Sequence, residues 1–277
     1  MSSIRHVLGL SGGRDSAALA IFMRQRHPEI EVEYFFTDTG KELPEVYDYL
    51  TRLEGYLGKP IRRLNPDRDF DFWLKTYKSY LPSAQSRWCT RQLKLRPFEK
   101  WVREFLEAGE TVISYVAIRG DEEYREGYQS NKDKLLVSLP FKEACIDKAG
   151  VIEILEGAGL GLPYYYEWRT RSGCTFCFFQ QKIEWVRLLE RHPDAFEEAK
   201  RYEKTAIEHG SPFTWSQGES LIDLEQPERQ EQIKADHQRR LERVRTRMQV
   251  NPLRPDASLD LDDVYGGAAK ACLTCHK

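Results

Sequence analysis

The sequence predicts an α/β fold: a doubly wound, mostly parallel sheet over residues 1–180 with a helical extension over 181–277. Three observations carry this. Strand-like and helix-like stretches alternate through the first half of the chain, which implies a parallel sheet covered on both faces. Three polar strings, SGGRDS (11–16), TDTG (37–40) and RGDEE (119–123), each follow an expected strand directly. In parallel sheets that is where ligands bind. Past about residue 180 the strand signals stop and long charged helical patterns take over.

The elements follow in order. HVLGL (6–10) is an apolar run that ends in a glycine turn, and Ser16 to Arg26 carries Leu19, Ile21, Phe22 and Met23 in a helical pattern. EVEYFFTDTG (31–40) is β-rich and ends in a polar loop. Pro44 opens a second helix with Val46, Leu50 and Leu53 on one face. A third cycle runs from KPIRRL (59–64) to a helix around Phe98–Leu106, and TVISYVAIRG (111–120) reads as the clearest strand. In the extension, His192-Pro193 separates two helices. Residues 223–248 then form a highly charged helix whose Arg239, Arg240, Arg243, Arg245 and Arg247 read first as a solvated face and second as a nucleic-acid surface.

Composition narrows the class. Of the 277 residues 40% are apolar, enough for a sizeable core, and the net charge of -2 means that any basic binding surface must be local. MSSIRHVLGLSGG shows no long apolar run and no small-residue cleavage site, and no stretch approaches the roughly 18 apolar residues of a membrane span. A cytoplasmic location and no membrane partner are therefore expected. There cysteines stay reduced and serve more often as ligands or catalysts than as disulfides. The six cysteines lie at 89, 145, 174, 177, 272 and 275, and four of them form two Cys-x-x-Cys pairs.

In SGGRDS, Gly12 and Gly13 allow close backbone approach to a ligand, and the helix that follows points its unpaired N–H groups at the same spot. The hydroxyls of Ser11 and Ser16 add donors. The result is an anion cradle suited to phosphate or pyrophosphate. Ser11-Gly12-Gly13-Arg14-Asp15-Ser16 resembles the PP-loop of the N-type ATP pyrophosphatases, which cleave ATP between its α and β phosphates. Within that superfamily the chain resembles the phosphoadenosine phosphosulfate reductase family, with the adenine nucleotide alpha hydrolase-like fold. The stretches that carry the likeness are Thr37-Asp38-Thr39-Gly40 with Pro44-Glu45, Trp88-Cys89-Thr90 with Leu93-Lys94 and Pro97, then Arg119, Asp121-Glu122 and Arg125, Leu139-Pro140-Phe141, and Gly173-Cys174-Thr175-Phe176-Cys177. They span roughly residues 5 to 180.

The resemblance implies roles. Ser11 through Ser16, with Asp38, Thr39, Arg87 and Arg119, would hold ATP. Arg87, Arg91, Lys94 and Arg119 would supply cations near phosphates. Asp15 would be a Mg²⁺ ligand or orienting acceptor. Asp15, Ser16, Lys94, Arg119 and Cys275 would carry catalysis. Cys89, Cys174 and Cys177 match the family's arrangement for an iron–sulfur cluster, here a 4Fe-4S centre. Such a cluster normally takes four cysteines, and the cluster-bearing reductases have two adjacent ones where this chain has Trp88-Cys89. Cys272 or Cys275 would fill the fourth position, or it stays open for a small ligand; structural zinc is the competing reading. Cys145 has no partner in sequence and is expected to be a buried small hydrophobe. The tail Cys272-Leu273-Thr274-Cys275-His276 has three readings: metal ligands, a redox dithiol activated by the imidazole, or the counterpart of the reductases' mobile C-terminal nucleophile.

Two enzymatic functions follow from the resemblance. In the first, ATP adenylates an acceptor and sulfur then displaces AMP, as in nucleic-acid thiolation and DNA phosphorothioation, with a sulfur donor such as a cysteine desulfurase and a nucleic-acid acceptor as partners. In the second, an adenylyl sulfate is reduced by a C-terminal thiol. The intact SGG-x-DS string favours ATP, because sulfonucleotide reductases need no pyrophosphate pocket. A nucleotide-binding module with structural zinc is the non-catalytic alternative.

Overall fold

In a computed structural model, residues 3–127, 132–210, 213–216, 218–249 and 264–265 are described. The first half runs β1 (Ile4–Gly9), α1 (Arg14–Arg26), β2 (Val32–Phe36), α2 (Pro44–Leu57), β3 (Ile61–Arg63) and α3 (Phe70–Thr76). A helical stretch follows, made of α4 (Trp88–Thr90), a π-helical turn (Arg91–Leu95) and α5 (Arg96–Glu107). Next come β4 (Thr111–Tyr115), β5 (Leu135–Ser138), α6 (Pro140–Glu143), α7 (Lys148–Gly157) and a 3-10 turn at Tyr164–Glu167. The extension holds α8 (Lys182–Arg191), α9 (Pro193–Glu208), α10 (Leu221–Leu224) and α11 (Pro227–Gln249).

The five strands form one sheet in the order β3-β2-β1-β4-β5, every pair parallel. Alternation along each strand sorts side chains between its two faces. Val7, Phe35, Val112 and Leu135 turn toward Phe98, Trp101 and Val102 of α5. Leu8, Tyr34, Phe36 and Tyr115 pack on the other face, in a core with α1, α2 and α7. Both faces are covered, which is why the strands read as nearly unbroken apolar runs. Strand order reverses beside β1, so a crevice opens between the carboxyl ends of β1 and β4.

The expected α/β class and parallel sheet are what the structure shows, with some boundaries moved. β4 stops at Tyr115 rather than running to residue 120. Val116 still donates to Ser138 O at 3.0 Å, but Ile118 bonds back to Val116 O at 3.0 Å and the chain turns across the sheet end. Val116, Ala117 and Ile118 are buried all the same, so apolar patterning could not reveal the turn. The expected charged helix of 223–248 is broken at Pro227 into α10 and α11. Cys145 is exposed, not a buried hydrophobe. It sits at φ 53° just past α6, where the chain reverses and its backbone meets Gly120. No described helix is long and apolar enough to cross a membrane.

Packing continues across residue 180. Phe176 stands 4.7 Å from Phe70, 5.2 Å from Tyr202 and 5.3 Å from Trp215, ring centre to ring centre, and so joins α3 and the cysteine segment to the extension. The buried Glu203 carboxylate on α9 accepts from Trp215 N–H (2.8 Å) and Leu221 N–H (2.6 Å), which fixes the turn into α10. Of the arginines on α11, Arg239 pairs with Asp236 and Arg240 lies over the Tyr265 ring. Arg243 and Arg245 are exposed, and the side chain of Arg247 lies outside the described residues.

α11 is held through His237. Its Nε2 is 3.1 Å from an Arg187 guanidinium nitrogen, and its Nδ1 is 2.8 Å from the Tyr265 hydroxyl. Arginine can only donate, so Nε2 must accept and the ring is neutral. Burial, with Arg187 and Arg240 nearby, pushes the imidazole down to about 4. A folded-state value below the unfolded one means that the unfolded chain takes the proton first. The contribution of His237 is therefore complete above about pH 6.5 and lost as pH falls from there toward 4, by at most about 3 kcal/mol. Urea midpoints at pH 7 and 4.5 check this: His237→Gln should show a shallower loss than the wild type, and equal losses would contradict it.

Candidate functional site

The loop between β1 and α1 is shaped by its glycines. Gly12 has φ 73°, and a Cβ there would stand 2.6 Å from Val46 Cγ1 on α2. A Cβ on Gly13 would stand 2.8 Å from Ser172 Oγ and 3.3 Å from the Tyr166 hydroxyl. A side chain at Gly12 would also be strained by its φ, whereas one at Gly13 would displace the surrounding hydroxyls. Hydroxyls organise the rest: Ser16 Oγ accepts from Ser11 N–H and donates to Gly13 O, both at 3.1 Å. Ser11 Oγ accepts from Gly13 N–H at 3.3 Å. These bonds hold the loop curled with its amides on hydroxyl acceptors, which a phosphate oxygen can replace.

A second segment closes over the loop. The Tyr165 hydroxyl donates to Gly12 O at 2.7 Å, Tyr166 OH accepts from Arg14 N–H at 3.3 Å, and Ser172 Oγ lies 3.2 Å from Ser11 Oγ. Sequence reasoning missed all three residues. The aromatic run YYYEW before the Cys-x-x-Cys motif was the available signal, but only folding reveals that it reaches back some 150 positions.

Arg119 arrives from the turn beyond β4 and bridges the switch point. Its guanidinium is 3.1 Å from Asp15 Oδ1 in the first turn of α1, and both side chains are buried. Nε also meets Asp121 at 2.8 Å, and Glu122 lies 3.9 Å away. Burial opposes its charge, but Asp15, Asp121 and Glu122 together outweigh burial and keep the group charged. The structure thus brings Ser11, Gly12, Gly13, Arg14, Asp15, Ser16 and Arg119 to one place.

Asp38 and Thr39 leave the end of β2 beside this loop. Asp38 accepts from Gly40 N–H (2.9 Å) and the Tyr47 hydroxyl (2.7 Å), and Arg63 reaches its other oxygen at 3.4 Å. Thr39 Oγ1 bonds Glu42 at 2.8 Å and lies 3.4 Å from Cys174 Sγ. Glu42 forms an antiparallel bridge with Cys174, and Thr175 N–H donates to Lys41 O at 2.7 Å. The strip after β2 therefore carries the Cys-x-x-Cys segment.

Cys89, Cys174 and Cys177 converge. Burial first, then the neighbouring sulfurs of Cys174 and Cys177, push the Cys89 thiol up to about 12. Burial, then the Glu42 carboxylate, pushes Cys174 up to about 12, while Lys94 pulls in the other direction at both thiols and at Glu42. Lys94 thus belongs to the cysteine group. The π-helical turn places it there, five residues beyond Cys89. Buried thiols that resist ionisation on their own are the kind of donor set a thiophilic cation would complete. Among the described residues no three His, Cys, Asp or Glu side chains are already arranged to hold a metal ion.

Two further expected cations are engaged elsewhere. Arg87 Nε donates to Ala84 O at 3.0 Å and its guanidinium lies over Phe179, while Arg91 pairs with Glu99 at 2.6 Å on the exposed side of its helix. Cys272, Cys275 and His276 lie outside the described residues.

The domain is thus an α/β domain with a parallel sheet, a curled glycine-serine loop at the sheet's switch point and a buried carboxylate–guanidinium pair beside it. Residues 5–130 match the phosphoadenosine phosphosulfate reductase domain. An uncharacterized protein of Methanocaldococcus jannaschii is 33% identical over 119 residues, 43% of this chain and 23% of that protein. This chain thus spans about a quarter of that relative's length. Among solved structures, the phosphoadenylyl-sulfate reductase of Candida auris in its phosphate complex is similar at 13% identity and TM-score 0.48, over 61% of this chain and 81% of that one. The U34-tRNA thiolase NcsA from Methanococcus maripaludis with its 4Fe-4S cluster gives 14% identity and TM-score 0.42, over 74% and 72%.

Proposed function

We propose that this protein is an ATP-dependent sulfur-transfer enzyme. ATP binds at the Ser11–Ser16 loop and an acceptor oxygen attacks the α-phosphorus. The bond to the β-phosphate breaks and pyrophosphate leaves. A sulfur nucleophile then attacks the activated centre and AMP departs. The acceptor is a nucleic acid, its backbone in DNA phosphorothioation or a base in RNA thiolation, with sulfur supplied by a donor such as a cysteine desulfurase.

The observation that carries this reading is the buried Asp15–Arg119 pair beside a loop that has glycine at the strained, crowded position 12. Arg119 offers a permanent positive charge where phosphate charge would gather. Asp15 offers a carboxylate to Mg²⁺, which when bound would share the phosphate charge. Ser11 and Ser16 can turn their hydroxyl protons from their present acceptors to phosphate oxygens. Thr39 and Asp38 border the position of the nucleoside.

Cys89, Cys174 and Cys177 would hold a 4Fe-4S cluster, with Cys272, Cys275 or a small ligand at the fourth iron; zinc is the alternative occupant. A cluster with an open iron would bind the sulfur to be transferred. Each Cys→Ser change at 89, 174 or 177 is expected to lose most of the bound metal and its colour. Full metal in all three variants would overturn the assignment, and stoichiometric zinc without sulfide would replace the cluster with zinc.

The test of the activity is product analysis with Mg-ATP and single-stranded DNA or tRNA: AMP and pyrophosphate are expected. ADP and orthophosphate as the only products would sink the reading. The family match over residues 5–130 favours a second one, reduction of an adenylyl sulfate, which would show itself as sulfite released from that substrate by a thiol reductant.

A further inference from the structure

A groove of about 930 Å³ lies beside the edge strand β3, walled by the 62–68 segment, α3 and the start of α5. Seven arginine and lysine side chains line it against three carboxylates, in a chain whose net charge is -2. All seven belong to exposed residues. Aromatic rings alternate with them. Arg68 lies 4.8 Å over Phe72, Arg96 lies 5.6 Å over Trp73, and Arg62 lies 5.7 Å over Trp101. Phe72 is 41% exposed, and its ring meets Trp73 edge-on at 5.4 Å.

We infer that this groove binds a single-stranded polynucleotide. Concentrated cations attract the phosphate backbone, and exposed ring faces stack on unpaired bases. A duplex hides its base faces, so Phe72 and Trp73 would have nothing to stack on. An acidic peptide would use the charge but leave the rings idle. The groove also leads to the site: Arg63 lines it and at the same time reaches Asp38 Oδ2 at 3.4 Å. Arg91 and Gln92, on the same wall, continue the helix that carries Cys89. That the strand bound here is the sulfur acceptor rests on the adenylation reading; that a strand binds here does not.

The experiment is fluorescence anisotropy of the full chain with a labelled 12-nucleotide strand, as DNA and as RNA, beside the same DNA as a duplex and a polyglutamate of equal charge. Wild type should bind the single strands, with affinity falling steeply as salt rises. Arg96→Glu with Arg103→Glu should weaken binding at least about tenfold and flatten the salt dependence by about 0.7 for each phosphate no longer neutralised. Phe72→Ala should weaken it about fivefold or more by loss of stacking, with little change in salt dependence. Neither change touches the nucleotide loop, so ATP affinity and melting temperature should hold in both. Binding of either sugar supports the groove, and a preference tells which polymer it serves. Unchanged affinity in both variants, duplex or polyglutamate bound as tightly as the strand, or no strand binding at 50 mM salt would overturn it. Strand binding without pyrophosphate release would spare the groove and defeat the adenylation reading, and pyrophosphate release to a small acceptor without strand binding would do the reverse.

Discussion

Asp15→Ala is expected to reduce pyrophosphate release by on the order of 10²-fold or more and to destabilise the fold as well. The two losses have different origins. Asp15 faces Arg119 at 3.1 Å with both side chains almost wholly out of water, so removing the carboxylate strands a buried guanidinium. Breaking such a pair costs about 3–5 kcal/mol. The lower end applies here, because Asp121 and Glu122 still face Arg119. Arginine cannot shed its proton to escape the cost. A cycle with Arg119→Met separates the effects. The double variant Asp15→Ala/Arg119→Met should regain much of the stability, since no buried charge is left alone, and regain none of the activity. Urea unfolding and pyrophosphate assay on the four proteins check it. Activity restored together with stability would show that the pair holds the fold and does no chemistry; stability left low in the double variant would show that the pair is not what Asp15 supports.

Gly12→Ala should be nearly as damaging, for a reason confined to the backbone. The φ of 73° costs an L-residue about 1–2 kcal/mol, and the new methyl would meet Val46 Cγ1 at 2.6 Å. Overpacking of this kind adds about 1–3 kcal/mol. Relief by opening the loop would move Gly12 O away from the Tyr165 hydroxyl and the neighbouring amides away from their hydroxyl acceptors. Lower melting temperature and at least about tenfold weaker nucleotide binding are therefore expected. Adding Val46→Ala should recover some affinity by removing the clash but not the dihedral cost. A Gly12→Ala protein with wild-type melting and wild-type nucleotide affinity would show that the loop tolerates a side chain.

Much of this protein is legible in order along the chain. Parallel strands buried on both faces must be apolar throughout, so HVLGL and EVEYFF stand out as strands, and a glycine-serine string after the first of them marks the loop before α1. These are local properties, set by side-chain volume and by the dihedrals that glycine alone reaches easily. Other features have no local signature. Residues 116–118 are as apolar as a strand because they are just as buried, and only the turn that carries Arg119 to Asp15 shows why they leave the ladder. Cys145 reads as a core residue by type, yet reversal of the chain after α6 turns it to solvent. The resemblance implies that Lys94 is a phosphate cation, and the fold also brings its charge to bear on the Cys89 and Cys174 thiols. Tyr165, Tyr166 and Ser172 close a loop some 150 residues away, and the basic groove draws Arg62, Arg68 and Arg96 from separate elements. Contacts of that separation depend on how strands are ordered and where helices cross them, and no window of sequence contains both partners.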